Sequence, residues 1–293
     1  MTRILDALAD LDGRYDVLYC DLWGCLHNGL ELYPAAVAAL QGFRAKGGAV
    51  VLMTNAPRTH GTVERKLSRM GLPRDAWDVI VASGDATQEA MLTGAAGRKL
   101  WHIGPANERD LFDDVPPELA DLPPIELVGY DTAEGIICIG LTDEQAEEPD
   151  DYRGRFLAAK TRGLTMLSAN PDIVVDFGET RIWCAGALAQ LYEEMGGAVL
   201  SFGKPHPPIY DLARRKLGEK GISYSDDQVL AIGDGIHTDI GGAQAEGIDA
   251  IFLTGGLEAT RFGPDVENPD PEALRAWLDA EDRHPRYVMG RLR

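Results

Sequence analysis

The 293-residue chain has no long apolar run. No stretch approaches the roughly 18 apolar residues that a membrane-spanning helix needs, which excludes that class of membrane protein. A secretion signal is not expected either, because the opening "MTRILDALADLDGRYD" carries acids through what would be its apolar stretch. The expected location is therefore cytoplasmic, with no membrane partner. Positive charge is scarce: 28 Lys and Arg face 47 Asp and Glu, for a formal net charge of −19. Nucleic acid and anionic membrane surfaces need a basic footprint, so the composition argues against both as partners. An anionic small molecule would need a local cluster of positive charge, most simply aided by a metal ion. Cysteine is sparse as well. Cys20, Cys25, Cys138 and Cys184 show no Cys-x-x-Cys spacing, which argues against a zinc ribbon or a disulfide framework and leaves four reduced thiols. Internal repeats and low-complexity tracts are lacking too. A homo-oligomer is compatible with the sequence.

What is present is an alternation of apolar runs and amphipathic segments. "DVLYC" (16–20), "AVVLM" (49–53) and "DVIVAS" (78–83) are short apolar runs, the pattern of parallel strands covered on both faces. Between the first two, "PAAVAALQGFRAKGG" (34–48) opens with proline, carries Val37, Leu40 and Phe43 on one face and stops at glycine. Residues 60–70 form the next predicted helix. The rhythm returns near the end, with strands predicted in "AVLSFG" (198–203), "QVLAIGD" (228–234) and "DAIFLTGG" (249–256) and helices at 207–218 and 238–247. One more helix is predicted at 271–279, in a tail otherwise made of turn residues. The alternation predicts an α/β fold on a doubly wound parallel sheet.

The middle of the chain is less regular, with "DDVPPELADLPP", the acidic "TDEQAEEPDD" and short strand candidates such as "EGIICIGL". Neither flanking half has enough strands for a stable sheet alone. One domain inserted in another is therefore expected, with a core made of 1–82 and 187–293 and an insert of 83–186.

The polar residues fall where predicted strands end. Asp21 follows the first, Thr54 and Asn55 the second, Lys204 a later one, and Asp234 with Asp239 another. In an open parallel sheet the carboxyl ends share one rim, where ligands bind, so residues 21, 54, 204 and 234 are expected to converge. Two carboxylates suit Mg²⁺, which commonly takes one or two of them together with phosphate oxygens and waters. A threonine hydroxyl, backbone N–H groups and a lysine suit phosphoryl oxygens.

In that order, "DLWGCLHNG", "MTNAP", "GKPHPPIY" and "GDGIHTDIGGAQAEGI" resemble the motif set of the haloacid dehalogenase (HAD) superfamily of phosphohydrolases. The segment between the second and third resembles the α/β cap of the class IIA branch, which includes sugar-phosphate and nitrophenyl-phosphate phosphatases. The resemblance spans almost the whole chain. It implies a Rossmann-like core with an inserted α/β cap domain, and an Mg²⁺-dependent phosphatase of small phosphorylated metabolites that works through an aspartyl phosphate. Asp21 would be nucleophile and metal ligand, Thr54 and Asn55 would hold the transferring phosphoryl group, and Lys204 would neutralise its charge. Asp234 and the backbone carbonyl of Trp23 would bind Mg²⁺, with Asp239 supporting the metal's waters or the lysine. "SANPDIVVD" (168–176) resembles the stretch by which such caps reach the substrate, with Asn170 and Asp172 against its non-reacting part. From its residues alone it is equally an Asn-Pro turn between two strands.

One position departs from the pattern. Where family phosphatases carry an aspartate that protonates the leaving group, this chain has Trp23. Indole cannot do this, and a positioned general acid contributes roughly 10²–10⁴-fold. His27, His206 and His237 lie in or beside the motifs as substitute candidates. Two alternatives stand beside the phosphatase: a degenerate protein that binds a phosphometabolite without turning it over, and a related hydrolase acting on a bond other than a phosphate ester.

Overall fold

The structure, a computed structural model, describes residues 2–11, 13–177 and 180–293. Two compact units are present, Met1–Thr54 with Glu64–Val81 and Tyr210–Arg293 as the first, and Asn55–Val63 with Ala82–Ile209 as the second.

The first unit is built on a seven-stranded sheet. In spatial order its strands are Arg3–Ile4, Tyr287–Met289, Asp249–Leu253, Val229–Gly233, Val17–Cys20, Ala49–Thr54 and Val79–Ala82. The ladders from the first of these through Ala49–Thr54 are all parallel, with Cys20 opposite both Ile232 and Leu52. The runs "VLYC", "VLAIG" and "VIVA" are buried at every position, as strands covered on both faces must be. Helix Pro34–Ala45 starts on its proline and buries Ala36, Val37 and Leu40. Helix Pro271–Ala280 is capped by Asp270, whose carboxylate accepts from the N–H groups of Glu272 and Ala273, both at 2.9 Å. Trp277 pins that helix to the sheet, with ring centroids 5.5 Å from Phe252 and 5.2 Å from Phe262. The strand Tyr287–Met289 corrects the expectation that the tail beyond the helix is only turns.

The second unit holds a five-stranded parallel sheet in the order Ala198–Ser201, Thr165–Ser168, Gly135–Cys138, Lys99–Ile103 and Glu126–Leu127. One hydrophobic cluster contains Ile136, Met166, Phe156 and Tyr192, and a second contains Ile137, Leu167, Met91 and Leu111. Alternate residues of the same strands feed the two clusters, so both faces of this sheet are covered. A separate antiparallel pair joins Val174–Phe177 to Thr180–Trp183. This is an inserted α/β cap domain with its own core.

Two segments fall differently from the sequence-based bounds. Residues 55–63 cluster with the second unit because Thr59 donates its N–H to Asp110 Oδ2 at 2.8 Å and Arg58 ion-pairs with Glu108 and Asp110. Gly84 also packs on the Arg58 backbone, where an added Cβ would lie 2.2 Å from the carbonyl oxygen. Residues 187–209 join the second unit because Ala198–Ser201 is an edge strand of its sheet.

Candidate active site

Asp21 follows strand Val17–Cys20, and its N–H reaches across the ladder to the carbonyl of Ile232 at 2.9 Å. Asp234 follows the neighbouring strand Val229–Gly233, and Thr54 ends the strand on the other side. All three are buried. One ligand atom each from Asp21, Cys25 and Asp234 lies within 4.8 Å of the others. The turn after Asp21 brings Cys25 back: Leu26 and His27 both donate to the carbonyl of Leu22, at 2.8 and 3.0 Å. Gly24 adopts φ +75, and a Cβ there would lie 2.1 Å from Asp234 Oδ2. A Cβ on Gly256 would lie 1.9 Å from the same oxygen. Two glycines thus make the space that the Asp234 carboxylate occupies, and the Leu257 N–H donates to it at 2.9 Å.

Asp239 is buried in the turn after Asp234, where its carboxylate accepts the Gly235 N–H at 3.0 Å. Its place in the π-helical turn Ile236–Ile240 makes it a brace for the loop that carries Asp234. Cys25 is the residue that sequence reasoning passed over, treating it as one more reduced thiol. Its Sγ lies 3.9 Å from Asp234 Oδ1. Burial, and then the Asp234 charge, push its thiol up, so it faces the carboxylates as a neutral S–H. The signal was its position four residues after Asp21 in a tight turn.

Trp23 is half-buried, with the His27 ring edge-on at 5.2 Å and Lys66 Nζ 4.6 Å from its ring centroid. Neither partner was foreseen. His27 is buried, and burial followed by the Lys66 charge lowers its pKa to about 4. Its Nδ1 accepts the Gly29 N–H at 3.0 Å, which puts the neutral ring's proton on Nε2. His237 instead stands on the surface, 3.6 Å from Glu281.

Lys204 corrects the one-rim expectation. It follows Ala198–Ser201, a strand of the five-stranded sheet, so the rim of the large sheet does not position it. Within the second unit, the Asn55 side-chain amide clasps its backbone: Oδ1 accepts the Lys204 N–H at 2.7 Å and Nδ2 donates to the Lys204 carbonyl at 3.1 Å. Asn55 Nδ2 also donates to Asp172 Oδ1 at 2.9 Å, and Asn170 Oδ1 accepts the Asp172 N–H at 2.9 Å. Asn55, Asn170, Asp172 and Lys204 thus form one cluster, in which the segment 168–176 turns between two strands. His206 is half-buried in the same unit, and burial lowers its pKa.

Comparison with known proteins agrees with this architecture. Residues 18–116 match the family described as haloacid dehalogenase-like hydrolase, and residues 201–290 match the one described as HAD-hydrolase-like. A haloacid dehalogenase-like hydrolase from Brucella suis 1330 is 38% identical, with both chains covered in full and a TM-score of 0.83. The ribonucleotide monophosphatase NagD of Escherichia coli (strain K12) is 24% identical over 245 residues, 82% of this chain and 88% of that protein. A 4-nitrophenylphosphatase from Thermotoga maritima shares the fold at 19% identity, with 94% of each chain covered and a TM-score of 0.67.

Proposed function

The chain belongs to the haloacid dehalogenase-like hydrolase family, and on that premise we propose that it is an Mg²⁺-dependent, cytoplasmic phosphatase of small phosphorylated metabolites that works through an aspartyl phosphate on Asp21. The observation that carries the reading is the meeting of two buried carboxylates, Asp21 and Asp234, at the carboxyl ends of adjacent parallel strands. The relatives' names, a ribonucleotide monophosphatase and a 4-nitrophenylphosphatase, support phosphomonoesters as the substrate class.

The two carboxylates of Asp21 and Asp234 fit a small hard cation, Gly24 and Gly256 leave the Asp234 carboxylate its place, and the Trp23 carbonyl would be a further oxygen ligand. When bound, Mg²⁺ would draw negative charge from the phosphoryl oxygens and so ease attack by an anion. The carboxylate of Asp21 attacks phosphorus in line, the bond from phosphorus to the ester oxygen breaks, and the phosphoryl group rests on Asp21. Thr54 and the Asn55 backbone hold the phosphoryl oxygens, and Lys204 offsets their charge. The Asn55 side chain is committed to clasping Lys204 and Asp172, so it acts through the lysine's placement. Asn170 and Asp172 contact the non-reacting part of the substrate, and Asp172 favours hydroxyl-rich or cationic groups there. Water then attacks phosphorus, the bond from phosphorus to the Asp21 oxygen breaks, and inorganic phosphate leaves with the water's proton on phosphate or solvent and the Asp21 carboxylate restored, with Asp239 supporting the arrangement around Asp234.

Trp23 supplies no proton, so the ester oxygen departs as the anion and aryl esters are favoured over alkyl esters. That same residue favours a second reading, a protein that binds a phosphometabolite with little turnover. The experiment is phosphate release from p-nitrophenyl phosphate and from a hexose 6-phosphate, with Mg²⁺ and with chelator, on wild type and Asp21→Asn. Release that needs both Mg²⁺ and Asp21 supports the phosphatase. Release without Mg²⁺ overturns it, and ligand-dependent thermal stabilisation without release supports the second reading.

A further inference from the structure

The seven-stranded sheet has a second rim. Arg3, Asp249 and Tyr287 open their strands, so they lie at the amino ends, opposite the ends that carry Asp21 and Asp234. Four residue steps of about 3.3 Å put roughly 13 Å of strand between the two rims. A groove of about 930 Å³ opens here, lined by residues of the first unit only. Helix Pro271–Ala280 contributes Leu274 and Leu278, which with Tyr287 give a buried apolar floor.

The groove carries four arginines, Arg3, Arg275, Arg283 and Arg286, against two aspartates, Asp249 and Asp279. In a chain whose acids outnumber its bases 47 to 28, this local excess runs against the composition. Asp249 is already matched, by Arg14 at 3.6 Å, Arg286 at 3.4 Å and the Tyr15 hydroxyl at 2.7 Å. Among the described residues, the side chains of Arg3 and Arg275 make no ion pair or hydrogen bond, and Arg283 Nε is buried without a partner.

We infer that this groove binds a phosphorylated organic anion of nucleotide size, at a site separate from the carboxylate rim. Arginine forks match phosphate oxygens in pairs, and the apolar floor accepts a ring. The volume lies within the usual range of small-molecule sites, roughly 300–1,000 Å³. A net charge of −19 repels a large acidic partner across its whole contact. A small anion feels chiefly the charges within a Debye length, about 8 Å at physiological salt.

The test uses the full chain in EDTA and ADP carrying an N-methylanthraniloyl (mant) reporter, followed by fluorescence anisotropy. Saturable binding is expected, with competition by inorganic pyrophosphate. The double variant Arg3→Gln with Arg275→Gln should weaken binding by roughly tenfold or more, and Lys204→Ala should leave it unchanged. Mant-adenosine, with the same rings and no phosphate, should bind roughly tenfold more weakly or less well still. Neither arginine has a partner to lose, and an unchanged unfolding midpoint checks that the double variant stays folded. Three outcomes overturn the proposal: no saturation below about 1 mM, equal binding of mant-adenosine, or binding lost in Lys204→Ala but kept in the double variant. Because the readout is binding in chelator, its failure is separate from any failure of the phosphatase reading.

Discussion

The two rims of the large sheet share strands but differ in chemistry. At the carboxyl ends, Asp21, Asp234 and Asp239 are buried acids, and main-chain N–H groups hold the carboxylates of Asp234 and Asp239 where glycines leave them room. At the amino ends, four arginines outnumber two aspartates, of which Asp249 is already paired. A parallel sheet delivers every following loop to one side, so acids from distant motifs meet there without local pairing rules. The opposite rim receives the chain as it enters each strand, and its charge is set residue by residue. Position on the sheet therefore predicts the site at one rim and says little about the other.

The largest expected effect breaks the carboxyl rim alone. Asp21→Asn should lower phosphate release by roughly 10⁴-fold or more, with an unchanged unfolding midpoint and unchanged mant-ADP binding. Activity within tenfold of wild type would remove the nucleophile assignment.

Acid should weaken the same rim from below, while the arginines keep their charge. The His27 pKa, near 4, lies below its ordinary 6.5, so between these values the unfolded chain binds a proton that the folded chain refuses. Stability should hold above about pH 6.5, fall through the window and level off near pH 4, by roughly 3 kcal/mol in all. Urea unfolding in chelator at pH 7 and pH 4.5 should show a smaller drop for His27→Gln than for wild type. Equal drops would mean that His27 is not held neutral.

A gain should follow from restoring the missing acid. Trp23→Asp should raise hydrolysis of a hexose 6-phosphate by roughly 10²-fold and that of p-nitrophenyl phosphate by less. An equal change for both esters would separate Trp23 from the leaving group. The smallest effect tests the metal: Mg²⁺ at ten times its Kd should stabilise the wild type by about 1.4 kcal/mol. Asp234→Asn should lose that gain in thermal unfolding, and the Arg3 and Arg275 double variant should keep it.

Much of the carboxyl rim was legible in the sequence. "DVLYC", "AVVLM" and "QVLAIGD" are unbroken apolar runs, and the residue after each such run had to reach the ligand side of a parallel sheet. The strand before Lys204 was assigned to the wrong sheet because "AVLS" reads the same in either one. Strand pairing is a long-range choice that local composition does not encode. The strand Tyr287–Met289 escaped for a related reason, being three residues long and stabilised only by neighbours in the sheet. The Asn55 clasp on Lys204 joins residues 149 apart, and no spacing rule links them. The groove was invisible, since its arginines come from both ends of the chain and match no motif.

The order of the strands also sets a timetable for the chain on the ribosome. Every strand of the five-stranded sheet lies between residues 99 and 201, so that sheet can close before the large one. Val17–Cys20 must wait for Val229–Gly233, the neighbour that brings Asp234, more than two hundred residues later. At roughly 5–20 residues per second that interval is on the order of 10–40 s. Throughout it, the strand that leads into Asp21 has one edge open, and the pair of buried carboxylates exists only once Asp234 has been made.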